Sequence, residues 1–224
     1  MIKACLFDLD GTLLDTLESI RYYLNITLEK RGLSPVSSSD ARIFVGNGAE
    51  NLVNRALCAA GVDLSEPGRA EFRDAALREY VDAYDESPFY LTKPYEGIVE
   101  AVDKLYERGI LLAVISNKPD STVKQLVKMH FEDKFACVFG AREGVPLKPN
   151  PEAPLDICRQ LGVKASEVAY FGDTGTDMQT GKAFGCALNV GVDWGFRDEE
   201  ELRSFGADVV ISHPYEIANI IFDS

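Results

Sequence analysis

The chain has 224 residues, with 23 lysines and arginines against 36 aspartates and glutamates, a formal net charge of −13 and a sequence pI near 4.6. Hydrophobic residues at 46% and charged residues at 26% exclude a disordered chain, and the length suits one large domain or two smaller ones. The acidic mean field disfavours nucleic acid and anionic membranes as partners, yet leaves room for a small anionic ligand wherever local charge opposes the mean.

No apolar run approaches the roughly 18 residues of a membrane span. The opening MIKACLFDLDG meets Asp8 and Asp10 too early for a signal-peptide core, so a cytoplasmic protein is expected. The five cysteines are odd in number, scattered and free of any C-x-x-C pair, which predicts buried thiols rather than disulfides or zinc. His130 and His213 are too few and too far apart for a zinc site or a histidine-based phosphatase.

In chain order, 3–7 predicts a buried strand ending at Asp8. Leu17, Ile20, Leu24 and Leu28 then recur at helical spacing up to Gly32. Helical texture continues through 37–60, where Leu52, Val53, Ala56 and Leu57 share a face behind the loop Gly46-Asn47-Gly48. It resumes with Phe72, Ala76, Tyr80, Val81 and Tyr84, and no strand is expected between 16 and 89. After Pro94 the pattern alternates. Ile98, Val102 and Leu105 predict a helix closed by Gly109, 110–115 a strand, and Asp120 or Ser121 the cap of a helix carrying Val123, Leu126 and Val127. Strand 136–139, a helix carrying Leu155, Cys158 and Leu161 and ended by Gly162, and strands 168–171, 186–190 and 209–211 follow, with Glu199–Glu201 opening a helix. Continuous apolar strands between amphipathic helices predict an α/β fold, a Rossmann-like parallel sheet covered on both faces. The expected division is an α/β core of residues 1–14 and 90–224 around an inserted all-helical unit at 15–89.

Ligands of such sheets bind beyond the carboxyl ends of the strands. The polar residues there are Asp8, Asp10, Gly11 and Thr12 after the first strand, Ser116 and Asn117 after 110–115, and Asp173 and Asp177 after 168–171. Lys148 lies in the loop 146–151. Singly, each is explained as well by a helix cap, a turn or a solvated lysine; their placement at one end of consecutive strands is what points to a site. Several carboxylates brought together repel and need a counter-charge. An all-oxygen set favours a hard cation, first Mg²⁺, which pairs one or two carboxylates with water and a substrate phosphate.

These residues carry a resemblance. DLDGT at 8–12, SN at 116–117, KP at 148–149 and GDTGTD at 172–177 resemble the four ordered motifs of the haloacid dehalogenase superfamily, across essentially the whole chain. The helical insertion resembles the cap of the subgroup containing phosphoglycolate phosphatase, β-phosphoglucomutase and phosphonatase. VGNGAENLVNRAL at 45–57 and GVDWGFRDEEEL at 191–202 are most similar to the first of these. The resemblance implies that Asp8 is a nucleophile and Mg²⁺ ligand, and that Asp10 is the acid and base and ligates through its carbonyl. It implies that Gly11, Thr12, Ser116 and Asn117 bind phosphate, Lys148 neutralises it, Asp173 ligates Mg²⁺ and Asp177 holds waters or Lys148. The implied activity is a Mg²⁺-dependent phosphatase of a small phosphomonoester, 2-phosphoglycolate first, with a phosphomutase or a pyrophosphatase as alternatives. A small phosphorylated metabolite is then the partner, and the chain a monomer or homodimer. Gly46, Asn47, Gly48 and Arg55 are the candidates for specificity in the cap, which is expected to open and close on joints near 14–16 and 86–94.

Overall fold

The computed structural model describes residues 1–222. Strand β1 (Ala4–Phe7) runs into a short β2 (Leu14–Asp15), and four helices follow: α1 (Leu17–Glu29), α2 (Ser38–Phe44), α3 (Gly48–Ala59) and α4 (Arg69–Glu86). The chain returns through β3 (Lys93–Pro94), which pairs antiparallel with β2, so both crossings lie side by side. From there helices and strands alternate: α5 (Ile98–Glu107), β4 (Leu111–Pro119), α6 (Asp120–Phe131), β5 (Cys137–Ala141), α7 (Glu152–Leu161), β6 (Val168–Gly172), α8 (Gly175–Phe184), β7 (Leu188–Val192), α9 (Glu199–Phe205), β8 (Val209–Ile211) and α10 (Glu216–Phe222).

Six strands form one parallel sheet in the order β5-β4-β1-β6-β7-β8. The α/β, Rossmann-like architecture is therefore as expected. The first strand is its centre: β4 and β6 flank it, and the chain builds outward on one side before crossing to the other. That reversal opens a crevice at the carboxyl end of β1. Alternation of side chains along β1 explains why the sheet needs cover on both faces. Cys5 and Phe7 join one apolar cluster with α5, α6 and α10, while Ala4 and Leu6 join another with α7 and α8.

The four helices before β3 have their own apolar cluster, in which Leu24, Leu28, Leu57 and Tyr80 are buried; Phe196, from the β7–α9 loop, inserts into it. No described helix is long and apolar enough to cross a membrane.

Several local expectations are corrected. Strand β4 runs on to Pro119, with a register shift against β5 between Ile115 and Pro119, so Ser116 and Asn117 lie on the strand's extension. Asp120 does not cap α6; it is the first helical residue, and its carboxylate accepts from the Gly140 N–H at 2.9 Å and pairs with Lys124. Leu155 is exposed, because α7 turns Pro154, Ile157 and Cys158 inward. Strand β7 is displaced to 188–192, where Gly191 interrupts the apolar run used to find it. All five thiols are free, but only Cys5, Cys137 and Cys158 are buried; Cys58 is exposed and Cys186 half-buried.

Phe7 and Phe171 stack on adjacent strands with ring centroids 4.8 Å apart, Phe7 directly before Asp8 and Phe171 two residues before Asp173. Phe171→Ala is expected to cost about 3–5 kcal/mol of folding stability, from lost burial and the cavity left behind. Urea unfolding of the two proteins measures this.

Candidate active site

The crevice holds three carboxylates with oxygen atoms within 4.8 Å of one another: Asp8, Asp173 and Asp177, all buried. One ammonium opposes them. Lys148 Nζ lies 2.7 Å from Asp177 Oδ1 and 2.8 Å from Asp8 Oδ1. The contact to Asp177 is a hydrogen bond; the one to Asp8 is an ion pair without hydrogen-bond alignment, so Asp8 Oδ1 keeps an unused acceptor.

Each carboxylate is fixed by local structure. Asp177 stands at the third position of α8, in a capping box with Thr174. It accepts from the Thr174 N–H and hydroxyl through Oδ2, and from Tyr170 OH and Lys148 through Oδ1. Asp173 accepts from Thr12 Oγ1 at 3.0 Å and from the Phe196 N–H at 2.8 Å. Gly11, at φ +87°, and Gly195 pass so close to the Asp173 side chain that neither position has room for a Cβ. Lys148 is aimed by its main chain: Asn117 Oδ1 accepts from Lys148 N–H at 2.8 Å, and Asn117 Nδ2 donates to Lys148 O at 3.2 Å.

The electrostatics follow from crowding among buried groups. Burial first, then Asp177, push the Asp8 carboxyl up to about 7, with Lys148 opposing. Burial, Asp177 and Asp8 raise Asp173 well above the usual carboxylate range, against the pull of the Phe196 and Thr12 donors. Burial would lower the Lys148 ammonium, but Asp177 and Asp8 outweigh it and push it up. Three carboxylates and one ammonium leave an excess of negative charge. The all-oxygen donor set, the crowding and the unused Asp8 acceptor all fit a bound hard cation, which would relieve the repulsion.

Of the residues singled out in the sequence, Asp8, Asp10, Ser116, Asn117 and Lys148 line one pocket. Its cavity volume is about 60 Å³. At roughly 10–15 Å³ for each water, that is room for about four to six waters. Thr12 is buried, but its hydroxyl is occupied by Asp173. Gly46 and Gly48 reach the pocket from the helical side, whereas Asn47 spends its side chain accepting from Thr176 Oγ1 at 3.1 Å. Arg55 is not brought there. Its guanidinium donates to the Ile43 and Phe44 carbonyls at the exposed end of α2, because α3 turns its apolar face inward and leaves this position outside.

Other contributors had no signal of their own in the sequence. Lys118 lines the pocket, 3.3 Å from Asp10 Oδ1; its one signal is that it follows Ser116-Asn117 directly on the extension of β4. Tyr80, Tyr84 and Leu52 form the helical wall, where helical periodicity marks only core. The Phe196 contribution is a main-chain donor, invisible to residue type. Closure is held by polar contacts across the boundary. Arg197 donates to Arg42, Ile43 and Val45 carbonyls, Asn117 Nδ2 to Gly46 O, and Ser121 and Thr122 to the Asp85 carboxylate.

A model of the haloacid dehalogenase-like hydrolases matches residues 5–190. A phosphoglycolate phosphatase of Vibrio parahaemolyticus is 32% identical, over 98% of this chain and 96% of its own length. An N-acetylmuramic acid 6-phosphate phosphatase of Pseudomonas aeruginosa is 30% identical over 98% and 95%. A crystal structure from Lactobacillus delbrueckii subsp. bulgaricus, provisionally named a phosphoglycolate phosphatase, superposes with a TM-score of 0.90 at 28% identity, covering 99% of each chain.

The Asp8 shift has a sign that can be tested. Its folded value of about 7 exceeds the unfolded value of about 4, so the folded, metal-free protein binds more protons between them and loses stability as pH rises through that window. Relative to wild type, Asp8→Asn is expected to become progressively more stable from pH 4 to about pH 7 and to level off above, in urea melts with chelator. A pH-independent difference would contradict the assignment.

Proposed function

The chain belongs to the haloacid dehalogenase-like hydrolases, and on that premise we propose that it is a Mg²⁺-dependent phosphatase of small phosphomonoesters that works through an aspartyl-phosphate on Asp8. The observation that carries this reading is Asp8 itself: a buried carboxylate lining the pocket, ion-paired to Lys148 but accepting no hydrogen bond at Oδ1.

Asp8 and Asp173 would hold the ion, with Asp177 in reach but already occupied by Lys148, Tyr170 and Thr174. Bound there, Mg²⁺ neutralises charge on the phosphoryl oxygens and on the carboxylates around them. Lys148 supplies further neutralisation, and Ser116 borders the same space. Asp8 then attacks phosphorus, forming an O–P bond as the bond to the leaving oxygen breaks, while Asp10 gives that oxygen a proton. In the second half Asp10 takes a proton from water, the water oxygen bonds to phosphorus, and the bond to Asp8 breaks, releasing phosphate and restoring both aspartates. Positioning and charge neutralisation supply most of the acceleration in such transfers. Asp10 suits its role because its carboxylate stands apart from the other three, against Lys118.

2-Phosphoglycolate, the substrate in the name of the Vibrio parahaemolyticus relative, is the first to assay. Asp8→Asn is expected to abolish phosphate release from it while the far-ultraviolet circular dichroism stays that of wild type, and EDTA to stop the wild-type enzyme until Mg²⁺ is restored. Release by Asp8→Asn near the wild-type rate would refute the mechanism.

The pocket lies between the helices and the sheet, so parting of the two would widen the way in for substrate. Asn47 and Thr176 face each other across that boundary. A disulfide between Asn47→Cys and Thr176→Cys is expected to cut turnover more than about tenfold and to restore it on reduction. Full activity of the verified oxidised form would rule out such gating.

A further inference from the structure

We propose that Lys118 selects the substrate by binding a second negative charge on its leaving group, a carboxylate close to the ester carbon; this rests on the phosphatase reading above. The pocket wall carries four charged side chains, the carboxylates of Asp8 and Asp10 and the ammoniums of Lys148 and Lys118. The helical wall contributes no charge, so an anionic leaving group has only these two cations to meet.

The cations differ in how much they have left to give. Lys148 is committed at 2.7 and 2.8 Å to two carboxylates on the reacting side. Lys118 Nζ lies 3.3 and 3.4 Å from the two Asp10 oxygens, longer than the roughly 2.7–2.9 Å of a well-made charge-assisted bond. An ammonium has three donors, and this loose contact leaves capacity for another acceptor. Lys118 is only 8% exposed, so water screens its charge poorly.

Its position matches the need. Asp10 must reach the leaving oxygen to protonate it, so the group beside Asp10 lies next to whatever that oxygen carries. Lys118 is also pre-positioned from the helical side: its Nζ sits 3.9 Å from the centroid of the Tyr84 ring, on the pocket wall. The neighbouring Asp85 accepts from Ser121 and Thr122, tying this end of α4 to the start of α6. A carboxylate close to the ester carbon would lie within reach of this ammonium, because Lys118 and Asp10 line the same pocket. A neutral leaving group would leave a desolvated cation facing it, the situation in which polar sites discriminate most strongly.

The test compares kcat/KM for 2-phosphoglycolate with that for 2-hydroxyethyl phosphate, of similar size but uncharged at the far end, in Mg²⁺. Wild type is expected to prefer the carboxylate by at least about tenfold, expressed in KM. Lys118→Met should collapse the ratio to below about threefold, whereas Lys118→Arg should keep most of it. Using the ratio cancels any loss transmitted to both esters through Asp10, and Lys118→Gln replaces the Met variant should that fail to fold. No preference in wild type, or an unchanged ratio in both neutral variants, overturns the proposal and makes Lys118 a positioning residue for Asp10. Release of phosphate from neither ester by wild type would overturn the phosphatase reading and this inference with it.

Discussion

The contact on which the rest of the molecule depends is the Lys148 ammonium wedged between Asp8 and Asp177 beneath a third buried carboxylate, Asp173. One positive charge cannot balance three buried carboxylates, and breaking a buried pair by removing one partner costs about 3–5 kcal/mol. The surroundings therefore supply donors wherever geometry allows. Thr12 and the Phe196 N–H serve Asp173, Tyr170 and Thr174 serve Asp177, and Asn117 steers the backbone of Lys148. The shortfall that remains, centred on Asp8, is what a bound cation would relieve. Stability and chemistry are opposed here by construction.

That opposition explains the layout of the fold. A parallel sheet places strand ends from distant parts of the chain within a few ångströms, and the apolar clusters on both faces hold them there at the expense of none of the polar groups. The helical unit contributes the opposite kind of surface. Its wall is apolar and aromatic, its polar atoms at the boundary are mostly main-chain carbonyls, and Arg197, Asn117 and the Asp85 contacts join it to the sheet. These contacts lie at an interface rather than in a core, so water could replace them if the halves were to separate, whereas it could not replace the partners of the carboxylate cluster. The paired crossings at β2 and β3 are the places where such motion would be absorbed.

Legibility in the sequence followed the range of the interaction involved. The six strands were readable because burial on both faces demands continuous apolar runs, and the residues after them were readable because a strand end is a position in the chain. Errors arose where a side chain had a choice of partners. Asp120 is as good a helix cap as any, but Gly140 and Lys124 claim it. Leu155 fits a helical stripe, but Ile157 and Cys158 are the ones that face the sheet. Arg55 sits in a segment similar to that of relatives, yet points away from the pocket to carbonyls at the end of α2.

The sequence by itself determined the order of the α/β elements, the place of the helical insertion and the identity of Asp8, Asp10, Ser116, Asn117, Lys148, Asp173 and Asp177 as the polar residues at one end of the sheet. Those depend on period, composition and position along the chain, which are local. Only the tertiary structure decided which oxygens accept hydrogen bonds and which is held by an ion pair alone, that Lys118 joins Asp10, that a main-chain N–H at Phe196 holds Asp173, and which helical residues wall the pocket. Each of these is a distance between groups far apart in the chain, and distances of that kind are set by packing, which no single segment encodes.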